Sequence, residues 1–376
     1  MERPYQICVR CVMDTSDVNV TFNEEGICSH CIKAEKILKS LWFPNELGKK
    51  KLEEKAREIR EYGKRRKYDC IIGMSGGVDS SYLLHVAVKI MNLRPLVVHV
   101  DGGWNTEIAV RNIERMVKAL GLELFTYVID WEEMRDLQLA FLKSSVANQD
   151  TPQDHVFFAK LFEYAVKDKI RYVLTGANLA SESILPLSWG YNPFDKIHIL
   201  DIHKKFGKKK LKTFPIMSLF QIYIYWPYIK RMQRVYPLYW MDYKKSEAIE
   251  FLQKNYGWQY YGGKHLESVW TKFFQTYYLP VKFGYDKRRA HLSSLIISGQ
   301  ISRDKAIEAL KSPPYNKLEI KEDLEYVSKK LGINVAEMTK LIELENKSYN
   351  DYKNKEKLIF VRLMKYLLRI SKSNKF

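Results

Sequence analysis

Between Tyr68 and Gly176, short apolar runs alternate with stretches of helical spacing. YDCIIGMS, RPLVVHVD, LELFTYVID and RYVLTG have strand length and strand composition. Between them, SSYLLHVAVKIM, TEIAVRNIERMVKALG, EEMRDLQLAFLKSS and HVFFAKLFEYAVKDK bring apolar residues back at helical intervals, and Gly121 stops the second of these. Such alternation predicts a parallel sheet with helices on both faces, because each crossover between parallel strands must run over a face. The expected fold class is α/β, a Rossmann-like parallel sheet with helices on both faces. A small N-terminal metal module and a helical C-terminal region flank it.

The pattern also sets expected boundaries. Residues 1–47 form a cysteine module. Residues 48–66 are a charged helix or linker whose apolar stripe is too narrow to join a core. Residues 67–215 form the sheet domain, and 216–310 an extension dense in aromatic and basic residues. Residues 311–376 read as helical, ending in KLIFVRLMKYLLRISK. No solenoid period or low-complexity tract interrupts this order.

Composition narrows the function classes. The 376 residues are 46% hydrophobic, which excludes a disordered chain, and carry a net charge of +18. That charge favours nucleic acid, anionic membranes or phosphorylated substrates, or is simply a solvated basic surface. The start, MERPYQICVRC, lacks the apolar stretch of a signal peptide, so a cytoplasmic location is expected. The longest apolar run, 214–229, is cut by Pro215 and Pro227 and is too short to span a bilayer. It reads as a buried helix, or as a membrane-peripheral segment flanked by Lys208, Lys209, Lys210, Lys212, Lys230, Arg231 and Arg234.

The sharpest chemical signal is Ser75-Gly76-Gly77-Val78-Asp79-Ser80-Ser81, placed between a strand and a helix. Backbone N–H groups at a helix start attract anions, and the two glycines let a phosphate come close. Ser75, Ser80 and Ser81 add hydroxyl donors. Asp79 would repel a bare phosphate, so it reads as a magnesium ligand or a helix cap. The chain has no GxxxxGK[ST], hence no Walker lysine for a γ-phosphate.

SGGVDSS resembles the PP-loop of the ATP pyrophosphatases. The resemblance implies a loop that grips the β- and γ-phosphates while a substrate oxygen attacks the α-phosphate and pyrophosphate leaves. Asp101, in HVDGGWN, lies at the carboxyl edge of the second strand, where such sheets bind ligands. It is a candidate for ribose or adenine, or merely a turn residue. Gly176 and Asn178, in TGAN, resemble the superfamily's second phosphate-side loop. Glu182, one helical turn on, is a candidate second magnesium ligand or a solvated glutamate.

Cys8, Cys11, Cys28 and Cys31 form CxxC–x16–CxxC, the spacing of a closed four-thiolate structural zinc site. A redox pair or an iron–sulfur cluster is the alternative. Cys70 lies within an apolar strand and reads as a buried small hydrophobe. No cysteine is therefore placed to hydrolyse glutamine.

Residues 262–310 set polar groups among aromatics, in GGKHLESVWTKF and KFGYDKRRAHLSSLI. With the loop and the cysteine module, they resemble the N-acetyl sugar amidotransferases of surface-polysaccharide (lipopolysaccharide O-antigen and nonulosonic acid) biosynthesis. That family resemblance implies an ATP-dependent conversion of an acetamido group to an acetamidino group through an adenylate displaced by ammonia. It also implies ATP, Mg2+ and structural Zn2+, and a separate glutamine amidotransferase, often with a cyclase-like subunit. Lys264, Lys272, Lys282, Lys287, Arg288 and Arg289 are candidates for the α-phosphate, Lys264, Lys272, Lys287 and Arg288 foremost, each with a plain basic surface as its rival. Lys287, Arg288, Arg289 and His291 also suit a nucleotide diphosphate handle or an acidic sugar. His265, Glu267 and Trp270 are candidates to position the sugar. The 216–262 surface would dock a partner, a membrane or nothing. Two other readings stand: a PP-loop tRNA-modifying enzyme with a zinc module, which would bind nucleic acid, and a non-catalytic nucleotide-binding scaffold.

Overall fold

The computed structural model describes residues 3–263, 266–358 and 361. Strands β1 (Cys70–Gly73), β2 (Pro95–Asp101), β3 (Leu124–Val128), β4 (Tyr172–Leu174) and β5 (Gln233–Val235) pair in parallel in the order β3-β2-β1-β4-β5. The chain moves outward from β1 to β3, then returns to the other side of β1. The order therefore reverses between β1 and β4, and a crevice opens where the loops after those two strands diverge.

The N-terminal segment folds around four cysteines and ends in α1 (Ser29–Leu41). Next comes α2 (Glu46–Gly63), which corrects the reading of 48–66 as a charged exterior element. Its buried residues Gly48, Leu52, Ala56, Ile59 and Gly63 recur at four, four, three and four positions, a core-facing stripe hidden among lysines and glutamates. Two of the five are glycines, invisible to a hydropathy count. Each is needed for close approach: a Cβ on Gly48 would lie 1.8 Å from the Phe43 carbonyl oxygen.

The crossovers behave as expected. α3 (Val78–His85) and α4 (Glu107–Leu120) follow β1 and β2; Thr106 caps α4, and Gly121, at φ +64°, ends it. α5 (Trp131–Ser144) and α6 (Thr151–Lys167) join β3 to β4, and α7 (Leu179–Glu182) and α8 (Lys196–Phe206) follow. A π-helical segment at Gln221–Ile229, holding Pro227, leads into β5, and α9 (Lys245–Tyr256) closes this part. One face of the sheet is packed by α2, α3, α4 and α9, the other by α5, α6 and α8. The boundary at 215 is thus too early, because the fifth strand comes from 233–235. Residues 214–229 are neither wholly buried nor wholly exposed: Ile222 and Trp226 are in the core, while Phe220, Tyr228 and Ile229 face out. Among the described residues no helix is long and apolar enough to cross a membrane.

The C-terminal helices are α10 (Val269–Phe273), α11 (Leu279–Phe283), α12 (Lys287–Ile297), α13 (Arg303–Lys311), α14 (Lys317–Leu331) and α15 (Val335–Glu343). All of them but α13 supply residues to a third core shared with the cysteine module and with Trp104 from the loop after β2. The cysteine module is therefore no bead on a linker. The predicted terminal helix KLIFVRLMKYLLRISK lies almost entirely outside the described residues.

Candidate active site and metal centre

The loop after β1 is shaped to hold an anion. Gly76 takes φ +79°, and a Cβ there would stand 2.3 Å from the Ala109 carbonyl oxygen of α4. Gly77 precedes α3 in ordinary extended geometry and is glycine for another reason. A Cβ on it would meet Glu267 Oε1 at 2.9 Å, Ser75 Oγ at 3.1 Å and the Tyr261 hydroxyl at 3.2 Å. Ser75 Oγ accepts from the Gly77 N–H at 3.2 Å and lies 3.2 Å from Ser80 Oγ. Ser81 is fully buried, and its Oγ has no partner among the described residues. A buried hydroxyl without a partner, a glycine cradle and a helix start together fit the phosphate tail of a nucleotide.

Asp79 points back toward the loop after β4. Its Oδ1 accepts from the Tyr243 hydroxyl and from Asn178 Nδ2, the latter at 3.3 Å. Asn178 in turn caps α7 through its Oδ1, and Gly176 leaves room for the Asp79 backbone, which a Cβ would approach to 3.0 Å. Burial first, then the charges of Asp79 and Glu182, pushes the Tyr243 hydroxyl well above its usual range. Glu182 bears on the same hydroxyl through its charge, and Asp79 and Glu182 are the carboxylates here that could hold a divalent cation. Asp101 turns inward: its Oδ1 accepts from the Gly103 N–H at 2.8 Å and from Asn105 Nδ2 at 3.1 Å, shaping its own turn.

The C-terminal region reaches this crevice through residues 266–269. Thr106 N–H donates to the Glu267 carbonyl at 3.0 Å, and Val269 N–H to the Trp104 carbonyl at 2.9 Å. Glu267, a predicted sugar residue, lies beside Gly77. The other predicted residues divide. Trp270 is fully buried against Trp104, so its ring is part of the core and not a platform for a sugar. Lys272 is held by Asp323 at 2.8 Å and Glu319 at 3.3 Å on α14. Arg288 forks onto Asp286 at 2.7 Å and donates to the Ser312 carbonyl. Lys282 donates to the Ile342 carbonyl, and Arg289 pairs with Asp14 of the cysteine module at 3.1 Å. These cations join helices, and the geometry gives them no contact with the loop. Lys287 Nζ lies 5.9 Å from the centre of the Phe274 ring. Lys264 and His265 lie outside the described residues.

Three residues not singled out from the sequence touch the site. Trp258 Nε1 donates to the Gly76 carbonyl at 3.2 Å, the Val78 N–H donates to the Tyr261 hydroxyl at 3.2 Å, and Tyr243 holds Asp79. All three come from the aromatic stretch 216–262, part of the extension read from sequence as the substrate and catalytic region, whose surface would dock a partner, a membrane or nothing. Their density was the available signal, but hydropathy does not say which rings turn inward.

The cysteine cluster is compact. Its four Sγ atoms lie within 4.8 Å of one another, with Cys8–Cys31 at 3.8 Å and Cys11–Cys28 at 3.7 Å, and all four residues are fully buried. Zinc–thiolate bonds of about 2.3 Å set a tetrahedral S–S edge of about 3.8 Å, the separation of the Cys8–Cys31 and Cys11–Cys28 pairs, so the cluster could hold zinc. Backbone N–H groups of Arg10, Cys11 and Cys28 point at Cys8 Sγ, and Met13 N–H at Cys11 Sγ, as thiolates in a low-dielectric setting require.

Comparison with known proteins agrees with the recognition made from these residues. Residues 69–152, which include SGGVDSS, match the family described as the phosphoadenosine phosphosulfate reductase domain. Residues 267–367 match the LPS biosynthesis protein WbpG-like C-terminal domain. The chain is 32% identical over 130 residues to the uncharacterized protein MJ1599 of Methanocaldococcus jannaschii. That alignment takes in 34% of this chain and 44% of the relative, so the chain spans less than half of that protein's length. Among solved structures, the NH3-dependent NAD synthetase of Campylobacter jejuni, in complex with the nitrate ion, superposes with a TM-score of 0.32 at 15% identity, covering 72% of this chain and 99% of the other. The NMN synthetase of Francisella tularensis gives 0.27 at 17% identity, covering 65% and 92%.

Proposed function

We propose, for a chain that joins a PP-loop domain to a WbpG-like C-terminal domain, an ATP-dependent amidotransferase that turns the acetamido group of a sugar into an acetamidino group. The reading rests chiefly on Glu267. It is the first residue of the WbpG-like match, and it lies against Gly77 at the centre of the phosphate loop. The domain named for polysaccharide biosynthesis thus faces the nucleotide tail.

The chemistry follows from the groups present. An amide oxygen is a weak nucleophile and a poor leaving group. Attack on the α-phosphate forms the O–P bond of an imidoyl adenylate and releases pyrophosphate; ammonia then forms the C–N bond and AMP departs. The hydroxyls of Ser75, Ser80 and Ser81 would bind the β- and γ-phosphates, joined by the Gly77 and Val78 N–H groups on exchange of their present acceptors, Ser75 Oγ and the Tyr261 hydroxyl. Magnesium held by Asp79, with Glu182, would neutralise charge on the departing pyrophosphate. The metal of the cysteine cluster has a closed ligand set and is structural. All five cysteines are buried, four in the cluster and Cys70 within β1, so we place the ammonia source on a separate glutamine amidotransferase chain.

The test supplies ATP, Mg2+, ammonium and N-acetylated nucleotide-linked sugars, and follows AMP, pyrophosphate and the product by mass spectrometry. The expected result is sugar-dependent AMP and pyrophosphate, with NH replacing the amide oxygen. ADP and orthophosphate as products, or turnover indifferent to these sugars and stimulated by tRNA, would refute the proposal.

A further inference from the structure

The start of α3 is capped from far along the chain. A helix leaves its first N–H groups without partners of their own, and Gly77, at the N-cap position, has no side chain to offer one. The Tyr261 hydroxyl supplies it, accepting from the Val78 N–H at 3.2 Å. Glu267 comes to the same place. Its Oε1 and the Tyr261 oxygen lie 2.9 and 3.2 Å from the point where a Cβ on Gly77 would stand. A carboxylate and a phenol hydroxyl thus lie together over the middle of the phosphate loop.

Both groups are held there by anchored neighbours. The Tyr261 ring packs on Trp258, with centres 5.5 Å apart, and Trp258 Nε1 donates to the Gly76 carbonyl. Asn112 of α4 grips Gln259 in both directions: its Nδ2 donates to the Gln259 carbonyl and its Oδ1 accepts from the Gln259 N–H, each at 2.8 Å. On the Glu267 side, the carbonyls of Glu267 and Trp104 accept from the N–H groups of Thr106 and Val269. Gly262 lies between these anchors at φ +95°, and a Cβ on it would meet nothing. It is glycine for its backbone alone, the property of a hinge. Burial, then the Glu267 charge, pushes the Tyr261 hydroxyl up, so it remains neutral beside the carboxylate.

We infer that Tyr261 and Glu267 form an autoinhibitory contact, a built-in stand-in for the phosphate tail that ATP must displace to enter the loop. The inference rests on the reading of the loop as an ATP site and adds a control on entry to it. A phosphate oxygen bound by the Val78 N–H takes the place of the Tyr261 oxygen. Glu267 is the sharper conflict, because a carboxylate and a phosphate at one point repel each other. ATP therefore enters only the fraction of molecules in which both groups have swung away, and the measured affinity is lowered by that fraction. By linkage, any ligand that draws Glu267 off the loop strengthens ATP binding. Glu267 opens the WbpG-like match, so the control lies with the C-terminal domain.

The test compares the wild-type chain with Tyr261→Phe and with Glu267→Gln, by calorimetric titration and stopped-flow mixing with Mg-ATP, sugar and ammonium being left out. Tyr261→Phe takes the acceptor from the Val78 N–H, and Glu267→Gln removes the repelling charge at equal size. Each variant is expected to bind Mg-ATP about tenfold more tightly, as when an open fraction of about one-tenth becomes nearly the whole. Tighter binding is not a result that misfolding can give, and a urea midpoint near that of the wild type confirms each fold. In the wild type the observed binding rate should level off as ATP rises, because opening limits it; in the variants it should keep rising in proportion. Unchanged or weaker binding by either folded variant would overturn the inference, weaker binding by making that group a ligand of the nucleotide or of its magnesium. Failure of all three chains to bind Mg-ATP would instead remove the reading of the loop as an ATP site.

Discussion

Gly76 and Gly77 are neighbours with different reasons to be glycine, and replacing each by alanine should separate stability from ligand binding. At Gly76 the backbone is left-handed, which costs an alanine about 1–2 kcal/mol. The new methyl would also stand 2.3 Å from the Ala109 carbonyl oxygen, so the first turn of α4 must move. Overpacking of this kind adds about 1–3 kcal/mol. The sum, about 2–5 kcal/mol, is a large part of the stability of an ordinary domain. At Gly77, with φ −75° and ψ 166°, alanine is comfortable and the methyl meets only side-chain ends. The stability change there should stay below about 1 kcal/mol, the scale of an N-cap substitution. That methyl fills the space a phosphate oxygen would take, and losing a charge-assisted hydrogen bond of about 1.5–3 kcal/mol weakens ATP binding roughly ten- to hundred-fold. Urea denaturation and calorimetric titration with Mg-ATP read the two effects. Gly77→Ala binding ATP like the wild type would place the phosphate tail elsewhere, and Gly76→Ala of unchanged stability would refute the packing argument.

Three further outcomes are expected. Tyr243→Phe removes the donor that holds Asp79, so magnesium saturation should shift to higher concentration with little loss at saturating metal; an unchanged magnesium dependence would separate Asp79 from the metal. Stripping the cysteine cluster with a chelator should release a single zinc per chain and make α12 and α13 susceptible to protease, because Arg289 and Arg303 donate to the carbonyls of Val12, Cys11 and Cys8. Protection that persists in the metal-free chain would contradict this. His155 accepts from the Met217 N–H at Nε2 and donates to the Pro193 carbonyl from Nδ1, which fixes a neutral ring, and burial pushes it down to about 4 from the ordinary 6.5. Between those values the unfolded chain binds the proton and the folded chain does not, so this contribution to stability is lost as pH falls from 6.5 toward 4, by about 3 kcal/mol. Asp150, whose carboxyl burial pushes up to about 8, acts with opposite sign throughout that window, so the effect is read as the difference in pH slope between wild type and His155→Asn; equal slopes would refute it.

What the chain order revealed was mostly periodic or local. SGGVDSS and CxxC–x16–CxxC carry their chemistry within a few residues, and strand–helix alternation announced the sheet. What stayed hidden depends on distant partners. The stripe of α2 was concealed because small residues, among them Gly48 and Gly63, occupy core positions that hydropathy counts as neutral. β5 was missed because its three residues, Gln233-Arg234-Val235, carry little strand signal; its place beside β4 comes from tertiary pairing. The basic run 282–289 read as a phosphate site because lysine and arginine look alike on paper whether they face a ligand or a carboxylate. Asp286 and Asp14 hold Arg288 and Arg289, the Ile342 carbonyl takes Lys282, and outside the run Asp323 holds Lys272.

The position of α12 explains why a metal module far along the chain belongs to this fold. Ser293 Oγ accepts from the Val12 N–H of the cysteine module, and Ser294, the next residue, accepts from the Ile184 N–H just past α7. His291 meets the Ser181 carbonyl, and Ser298, just beyond the helix, donates to the Ala180 carbonyl. Through Asn178 and Glu182, α7 carries one partner of Asp79 and the second carboxylate of the cation site. One helix is therefore braced on the cysteine module and supports, along its length, the segment that carries Asn178 and Glu182. A module of about forty residues has too little core to hold such a brace without its metal. Its contribution is to fix α12 against α7 and the residues just past it.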